Sequence, residues 1–542
     1  MDKPHSDRNE RAADKVAVIV IHGMGEQKPM ETLRGFVRTV WERDQRLFLG
    51  ITPPPNRRNS DTWSKPDRLS GSAELRRITT GRARDPQRPG EKGIRADFFE
   101  LHWADLTADS TWGDFLLWLR GLLLRNPFAC AVPKRLWLVW TLLWLLVTAI
   151  SISVLSPAVV KSDLLKGTAL QGFLSWQVWT VVTLGLVAVG AIAKTFLTSY
   201  FGDVARYVSA APRNIGIRKA ARERGLKLLS EINASNEYSR IIIVGHSLGS
   251  ILAHDLVYLA WSDLAPRLDI PDGSELKLAV EDCEVAADAL LSAAGYKKVD
   301  YSEDLRYDRG CHCLASPRPT SQDLPALLRK FRETQRSLFR KLSKQTVADS
   351  NGVVRPAWLI SDVVTLGSPL TYADFLLAKN RCELMAKSWS REILRSPPVL
   401  EIDEQGEPRY LHAKPGTTGV WQMHHAAALC ATRWTNIHDE SSPIAFPFGD
   451  VVSGPIARDF GPGVVDVKVR IIRQIGPLAA ILPRLFTHTL YWTYKAAGQT
   501  PAPVHIRTLR DAINLLDEDE VEASLLRRCS SSYCERMRAP GT

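Results

Sequence analysis

The chain has 542 residues, 45% of them apolar and 24% charged, which excludes a disordered protein and exceeds the size at which one core usually stops growing. A formal net charge of +11 suits anionic membrane surfaces or nucleic acid, but no nucleic-acid module signature accompanies it, so nucleic acid is set aside as a partner. Eight scattered cysteines make no disulfide framework and favour a reducing compartment.

Residues Met1 to Lys15 are charged and lack an apolar stretch, so no cleavable signal peptide is expected. Lys15 to Ile21 is a short, β-branched apolar run that reads as a buried parallel strand and ends in His22-Gly23-Met24-Gly25. Residues 51 to 94, rich in Pro, Gly and Arg, read as a solvated loop, with contact to anionic lipid as the alternative. Ala96 to Trp103 is a second strand candidate.

Two uncharged apolar segments, 136–155 and 173–193, are each long enough to span a bilayer, and together they suggest a transmembrane hairpin over 135–194. Basic residues such as Lys134 and Arg135 before it and Lys194 and Arg206 after it would place both main parts of the chain in the cytoplasm. Buried core helices are the competing reading, but these segments keep no polar face. The expectation is therefore an integral membrane protein with two transmembrane helices, a cytoplasmic catalytic domain and the lipid bilayer as a partner.

Asn214 to Ile232 reads as a basic helix leading into the strand Ile241 to Val244. That strand breaks into Gly245-His246-Ser247-Leu248-Gly249 and resumes with helix-forming residues. Such a turn is a nucleophile elbow: it forces Ser247 into a strained backbone conformation at the sheet edge, with a helix N-terminus behind it. A Gly-rich turn carrying an ordinary serine is the plainer alternative. Residues 262–355 interrupt the strand-helix rhythm and read as a lid-like insertion. Within it, Leu324, Leu328, Phe331, Leu338 and Leu342 recur at helical spacing opposite a basic face, either packed on the sheet domain or lying on a membrane. Cys311-His312-Cys313 packs its ligand candidates too closely for a tetrahedral site, so no metal is expected. Trp358 to Leu366, Thr432 to Ile437 and Val464 to Ile471 supply further strands, and 515–542 reads as a polar tail. Buried strands alternating with helices argue for an α/β fold with a mainly parallel sheet covered on both faces. In domain terms, 1–134 and 195–514 form one catalytic domain around the hairpin.

A serine nucleophile needs a base, and the base needs an acid. His488, after the last strand and before an aromatic cluster, is the favoured base, whereas His254 lies in the helix following the elbow. Asp439, at a strand end, and Asp450, in a Gly-flanked turn, are equal candidates for the acid on spacing alone, while Asp466 sits inside a strand. The oxyanion donors fall to the backbone N–H groups of Leu248 and Met24, each typically worth roughly 3 kcal/mol. His22 is better suited to holding its loop than to acting as a base.

His22-Gly23-Met24-Gly25, the Ser247 elbow, Thr365-Leu366-Gly367-Ser368-Pro369-Leu370, Trp434-Thr435-Asn436 and His488 to Trp492 resemble, in order, the lipase-like α/β-hydrolase superfamily. More narrowly, they are similar to poorly characterised membrane-associated serine hydrolases related to intracellular phospholipases and inositol deacylases. The resemblance implies a doubly wound α/β-hydrolase sheet and a Ser-His-Asp triad cleaving a carboxylic ester of a lipid or other acyl substrate through an acyl-enzyme. In that family an Asp-Pro-Val-like acid turn commonly follows Trp-x-Asn. Here Ser442-Pro443-Ile444 carries serine at that place, and Gly449-Asp450-Val451 looks like the acid turn displaced downstream. The resemblance therefore favours Asp450, with Asp439 as the alternative acid. No metal or organic cofactor is implied. The competing readings are a thioesterase or amidase using the same triad and an inactive membrane scaffold that keeps the fold.

Overall fold

The structure, a computed structural model, describes residues 15–23, 29–52, 58–67, 76–86, 93–107, 212–296, 323–348, 354–403, 407–439, 448–495 and 501–531, with isolated positions elsewhere. Eight strands form one sheet: β1 Lys15–Ile21, β2 Thr62–Pro66, β3 Arg76–Thr80, β4 Arg95–Leu101, β5 Arg240–His246, β6 Ile360–Leu366, β7 Arg433–Asp439 and β8 Val465–Val469. Their spatial order is β8-β7-β6-β5-β1-β4-β3-β2. The six strands from β8 to β4 run parallel, and β3 and β2 add an antiparallel edge. The sheet is thus mixed, not uniformly wound.

Every residue of β5, β6 and β7 is buried, which means that both faces of the sheet centre are covered. This explains why these strands read as unbroken apolar runs and not as alternating ones. In chain order the principal helices are α1 Glu31–Val37, α2 Pro212–Ala234, α3 Gly249–Leu264, α4 Glu275–Ala293, α5 Leu324–Leu342, α6 Val504–Ile513 and α7 Asp519–Arg527. Helix α3 packs on β5, β6 and β1 and buries Ile251, Leu252, Leu256 and Trp261, each burial contributing roughly 1.5–3 kcal/mol.

The expected transmembrane hairpin is corrected here. Among the described residues no helix is long and apolar enough to cross a membrane, so the two-helix insertion over 135–194 is withdrawn from the fold. The assignment as an integral membrane protein with its catalytic domain held in the cytoplasm falls with it. Most of segments 136–155 and 173–193 lies outside the described residues. The physical reason is that an apolar run spans a bilayer only as one continuous helix, a continuity that hydropathy along a sequence does not supply. The longest described helix, α2, carries charged side chains along its whole length.

Other segments also differ from expectation. Residues 51–94, read as a loop, contain β2 and β3. The insertion 262–355 holds α4 and α5, which pack on each other, and α5 buries Leu324, Leu328, Phe331, Leu338, Phe339 and Leu342 while contacting β7. Its apolar stripe is therefore an internal packing face. Cys311-His312-Cys313 lies outside the described residues. Within 515–542, α7 docks on α5 and α6. Cys382 is disulfide-bonded, which removes one support for a reducing compartment.

Candidate active site

The C-terminal ends of β1, β5, β6 and β7 are brought level by register: Ile21 pairs with Gly245, His246 with Leu366, and Leu366 with Ile437. The chain runs outward from β1 in both directions, to β4 on one side and β5 on the other. Such a switch point opens a crevice beyond the carboxyl ends of the strands. The loops leaving β1, β5 and β6 converge there.

Ser247 follows β5 directly and has φ 54, a left-handed conformation in a non-glycine residue. This strain costs on the order of 1–3 kcal/mol and persists because the surroundings fix it. The Ser247 N–H donates to Leu366 O at 2.9 Å, and the first helical donor, Ser250 N–H, returns to Ser247 O at 2.9 Å. Ser250 Oγ also bonds Ser247 O and shares a 2.6 Å hydrogen bond with Ser368 Oγ, joining the elbow to the loop after β6. Gly23, after β1, lies against Ser247: a Cβ on Gly23 would sit 2.7 Å from Ser247 Cβ.

Leu248 is the N-cap of α3 and is fully buried, with its N–H ahead of the first helical donors. Met24 lies outside the described residues. His22 holds the start of that loop: Nδ1–H donates to Gly23 O at 2.7 Å, and Nε2 accepts the Trp103 N–H at 3.2 Å. Burial lowers its pKa to about 4, so the ring is neutral and serves as a brace.

Asp450 and His488 come together from separate segments. An isolated bridge between Phe448 and Leu485, with Gly449 N–H donating to Arg484 O at 2.7 Å, clamps the Asp450 turn to the His488 loop. His488 Nδ1 then lies 3.0 Å from Asp450 Oδ1. Asp450 is completely buried and also accepts the Val452 N–H at 2.9 Å and the Tyr491 hydroxyl at 2.7 Å. Burial opposes its ionisation, but His488 and the hydrogen bonds from Tyr491 and Ser453 outweigh it and hold its carboxyl well below the usual range. The site thus contains a carboxylate fixed against one ring nitrogen of an imidazole.

Asp439 occupies a different environment. Its carboxylate accepts the Ile471 N–H at 2.9 Å and Arg484 Nη1 at 3.0 Å, and it also bonds the Thr487 hydroxyl. Burial raises its pKa against those partners. Its bonds brace the base loop, and none reaches His488.

Gly367 links the pieces. It follows β6 at φ 60, and a Cβ there would come within 2.8 Å of Tyr491, 3.1 Å of Asp450 Oδ2 and 3.2 Å of His488 Cε1. Ser247 is hydrogen-bonded to the preceding Leu366, so Gly367 lies next to the elbow on one side and to the Asp450–His488 pair on the other. Two further residues at the site lie inside the quoted motifs but had no role assigned from sequence. His246 donates Nε2–H to the His488 carbonyl at 2.9 Å, and burial, reinforced by the nearby His488, lowers its pKa to about 3, so it stays neutral. Tyr491 accepts the Asp439 N–H at 3.1 Å while donating to Asp450, which ties both aspartates together. Neither is identifiable from local spacing, although the aromatic cluster after His488 was a signal.

An open cleft of about 840 Å³ adjoins the site, lined on one wall by Gly23 and His246 and on another by Trp492, Tyr494, Arg38 and Arg43. Compared with known proteins, the chain matches no family model, no curated protein and no solved structure.

Proposed function

We propose that this protein is a serine hydrolase cleaving a carboxylic ester of an acyl substrate. The observation that carries the reading is a strained serine on a strand-to-helix turn, bonded through its N–H to Leu366, with the next residue, Gly367, packed against a histidine whose Nδ1 is held by a buried aspartate. With Nδ1 engaged, Nε2 of His488 is the nitrogen that takes the Ser247 Oγ proton as Oγ bonds to the ester carbonyl carbon. The carbonyl π pair moves onto oxygen, where the Leu248 N–H supplies a donor. Collapse of that intermediate breaks the C–O bond, and the alcohol leaves with the proton from His488. Water, deprotonated by His488, then attacks the acyl-enzyme, and the acid is released as Ser247 regains its proton.

The order serine, aspartate, histidine along the chain and the lipase-like resemblance of the elbow and the His-Gly loop support the same reading. A fluorophosphonate probe tests the proposal. Covalent labelling of the wild type that vanishes in Ser247→Ala is expected, and a wild type that takes no label refutes it.

A further inference from the structure

At the other end of the same strands, charge is buried without full compensation. Arg240 opens β5, Arg433 opens β7, and Asp362 on β6 pairs in register with Arg433. Arg433 lies 2.8 Å and Arg240 3.4 Å from the Asp362 carboxylate. Helix α5 adds Arg332 and Arg336, and the segment around α7 adds Asp517 and Glu522. Four buried guanidinium groups thus share three carboxylates among the described residues, one of which, Asp517, is also claimed by Arg340 at 3.2 Å.

Three of the four arginines are well served. Arg240 donates to the carbonyls of Asn514 and Leu515, Arg332 to Trp434 O and Glu522, and Arg433 to Asp362. Arg336 is the exception: its Nε donates to Asp517 at 3.1 Å, but its buried Nη1 has no hydrogen-bond partner among the described residues. Burial and repulsion from Arg433 and Arg240 lower its pKa to about 10. An orphaned donor on a buried cation costs free energy unless an acceptor is supplied.

Three of these arginines, Arg332, Arg336 and Arg433, line a cavity of about 480 Å³, within the range of small-molecule sites. Arg332, Arg336 and Arg433 form its buried part, while Arg329, Arg340, Lys341 and Lys344 stand around its more exposed margin. Against these seven cations stand six acids: Glu275, Glu333, Asp519 and Glu522 in the lining, and Asp362 and Asp517 paired with Arg433 and Arg336. The remaining excess of positive charge and the unpartnered Nη1 of Arg336 suit an anion, and two buried guanidinium groups, Arg336 and Arg433, suit one with two phosphoryl groups. Arginine forks pair with phosphoryl oxygens bidentately, and Leu276 and Leu526 offer an apolar wall beside them.

We propose that this cavity is a binding site for a small molecule bearing a diphosphate group, held by Arg336 and Arg433 and flanked by Arg329 and Lys344. It is separate from the hydrolase site: the seven residues of β7 put Arg433 roughly 20 Å from Asp439. Isothermal titration calorimetry of the full chain with pyrophosphate, ADP, inorganic phosphate and citrate at equal ionic strength tests it. Pyrophosphate is expected to saturate one site per chain, at least about tenfold tighter than phosphate or citrate. Arg329→Ala with Lys344→Ala, both exposed positions, should weaken it by about tenfold, and Arg336→Gln by more, while Ser247→Ala leaves it unchanged. ADP binding as tightly as pyrophosphate assigns an organic diphosphate; much weaker ADP binding assigns free pyrophosphate. Citrate binding equally well, an unaffected margin variant, or the lack of saturable pyrophosphate binding overturns the proposal.

Discussion

Replacing Asp450 by asparagine separates charge from geometry. Asp450 Oδ1 accepts both His488 Nδ1–H and the Val452 N–H, whereas Oδ2 accepts the Tyr491 hydroxyl. A carboxamide can keep its oxygen at the Oδ1 position and turn its NH₂ toward Tyr491, whose hydroxyl accepts as well as it donates. The His488 tautomer is then retained, and what disappears is the attraction between carboxylate and imidazolium. At 3.0 Å and an effective dielectric near 20, that attraction is about 5 kcal/mol. At roughly 1.4 kcal/mol per tenfold, Asp450→Asn should slow turnover of p-nitrophenyl acetate by about 10³ to 10⁴, with the fold intact by circular dichroism. Asp439→Asn, which weakens bonds to Arg484 and Thr487, should cost about 1–3 kcal/mol of stability in urea unfolding and leave turnover within about tenfold. Turnover in Asp450→Asn within tenfold of wild type, or a folded but inactive Asp439→Asn, refutes the reasoning.

Tyr491→Phe removes one hydroxyl donor from Asp450 and should lower kcat by about tenfold, measured with the same ester. Gly367→Ala puts a Cβ at φ 60 against Tyr491, Asp450 and His488, so fluorophosphonate labelling should slow by at least about a hundredfold; unchanged labelling refutes the convergence over that glycine. Glu100, buried near the end of β4 and accepting the Met30 N–H at 2.6 Å, has its pKa raised to about 7 by burial. The folded protein therefore holds a proton that the unfolded chain releases above its ordinary value of 4.5, and the stability this contributes is full below that value and lost as pH rises through 7. Glu100→Gln should match wild type in denaturant unfolding near pH 4 and exceed it by at most about 3 kcal/mol at pH 8.

The central strands were legible because burial on both faces leaves long apolar runs, as in Lys15–Ile21 and Arg240–His246. The elbow was legible because the turn constrains residue types within a few positions of Ser247. β2 and β3 were not: Thr62–Pro66 is mostly exposed, and Arg76–Thr80 joins the sheet by pairing with β4, a contact across sequence that local composition does not encode. Asp450 needed a family resemblance, since its bond to His488 is closed by the distant bridge between Phe448 and Leu485. The roles of His246 and Tyr491 depend on contacts with groups far along the chain, to which periodicity is blind. The two apolar segments show the opposite failure, a clear linear signal for which no spanning helix stands among the described residues.

The buried arginines also impose an order of events during synthesis. Arg240, Arg336 and Arg433 leave the ribosome well before Asp517 and Glu522, two of the three carboxylates that neutralise them. Until α7 emerges, the starting ends of β5 and β7 hold several cations against Asp362 alone, and that end of the sheet must stay hydrated. Complete neutralisation of this end of the sheet therefore depends on α7 and the residues just before it.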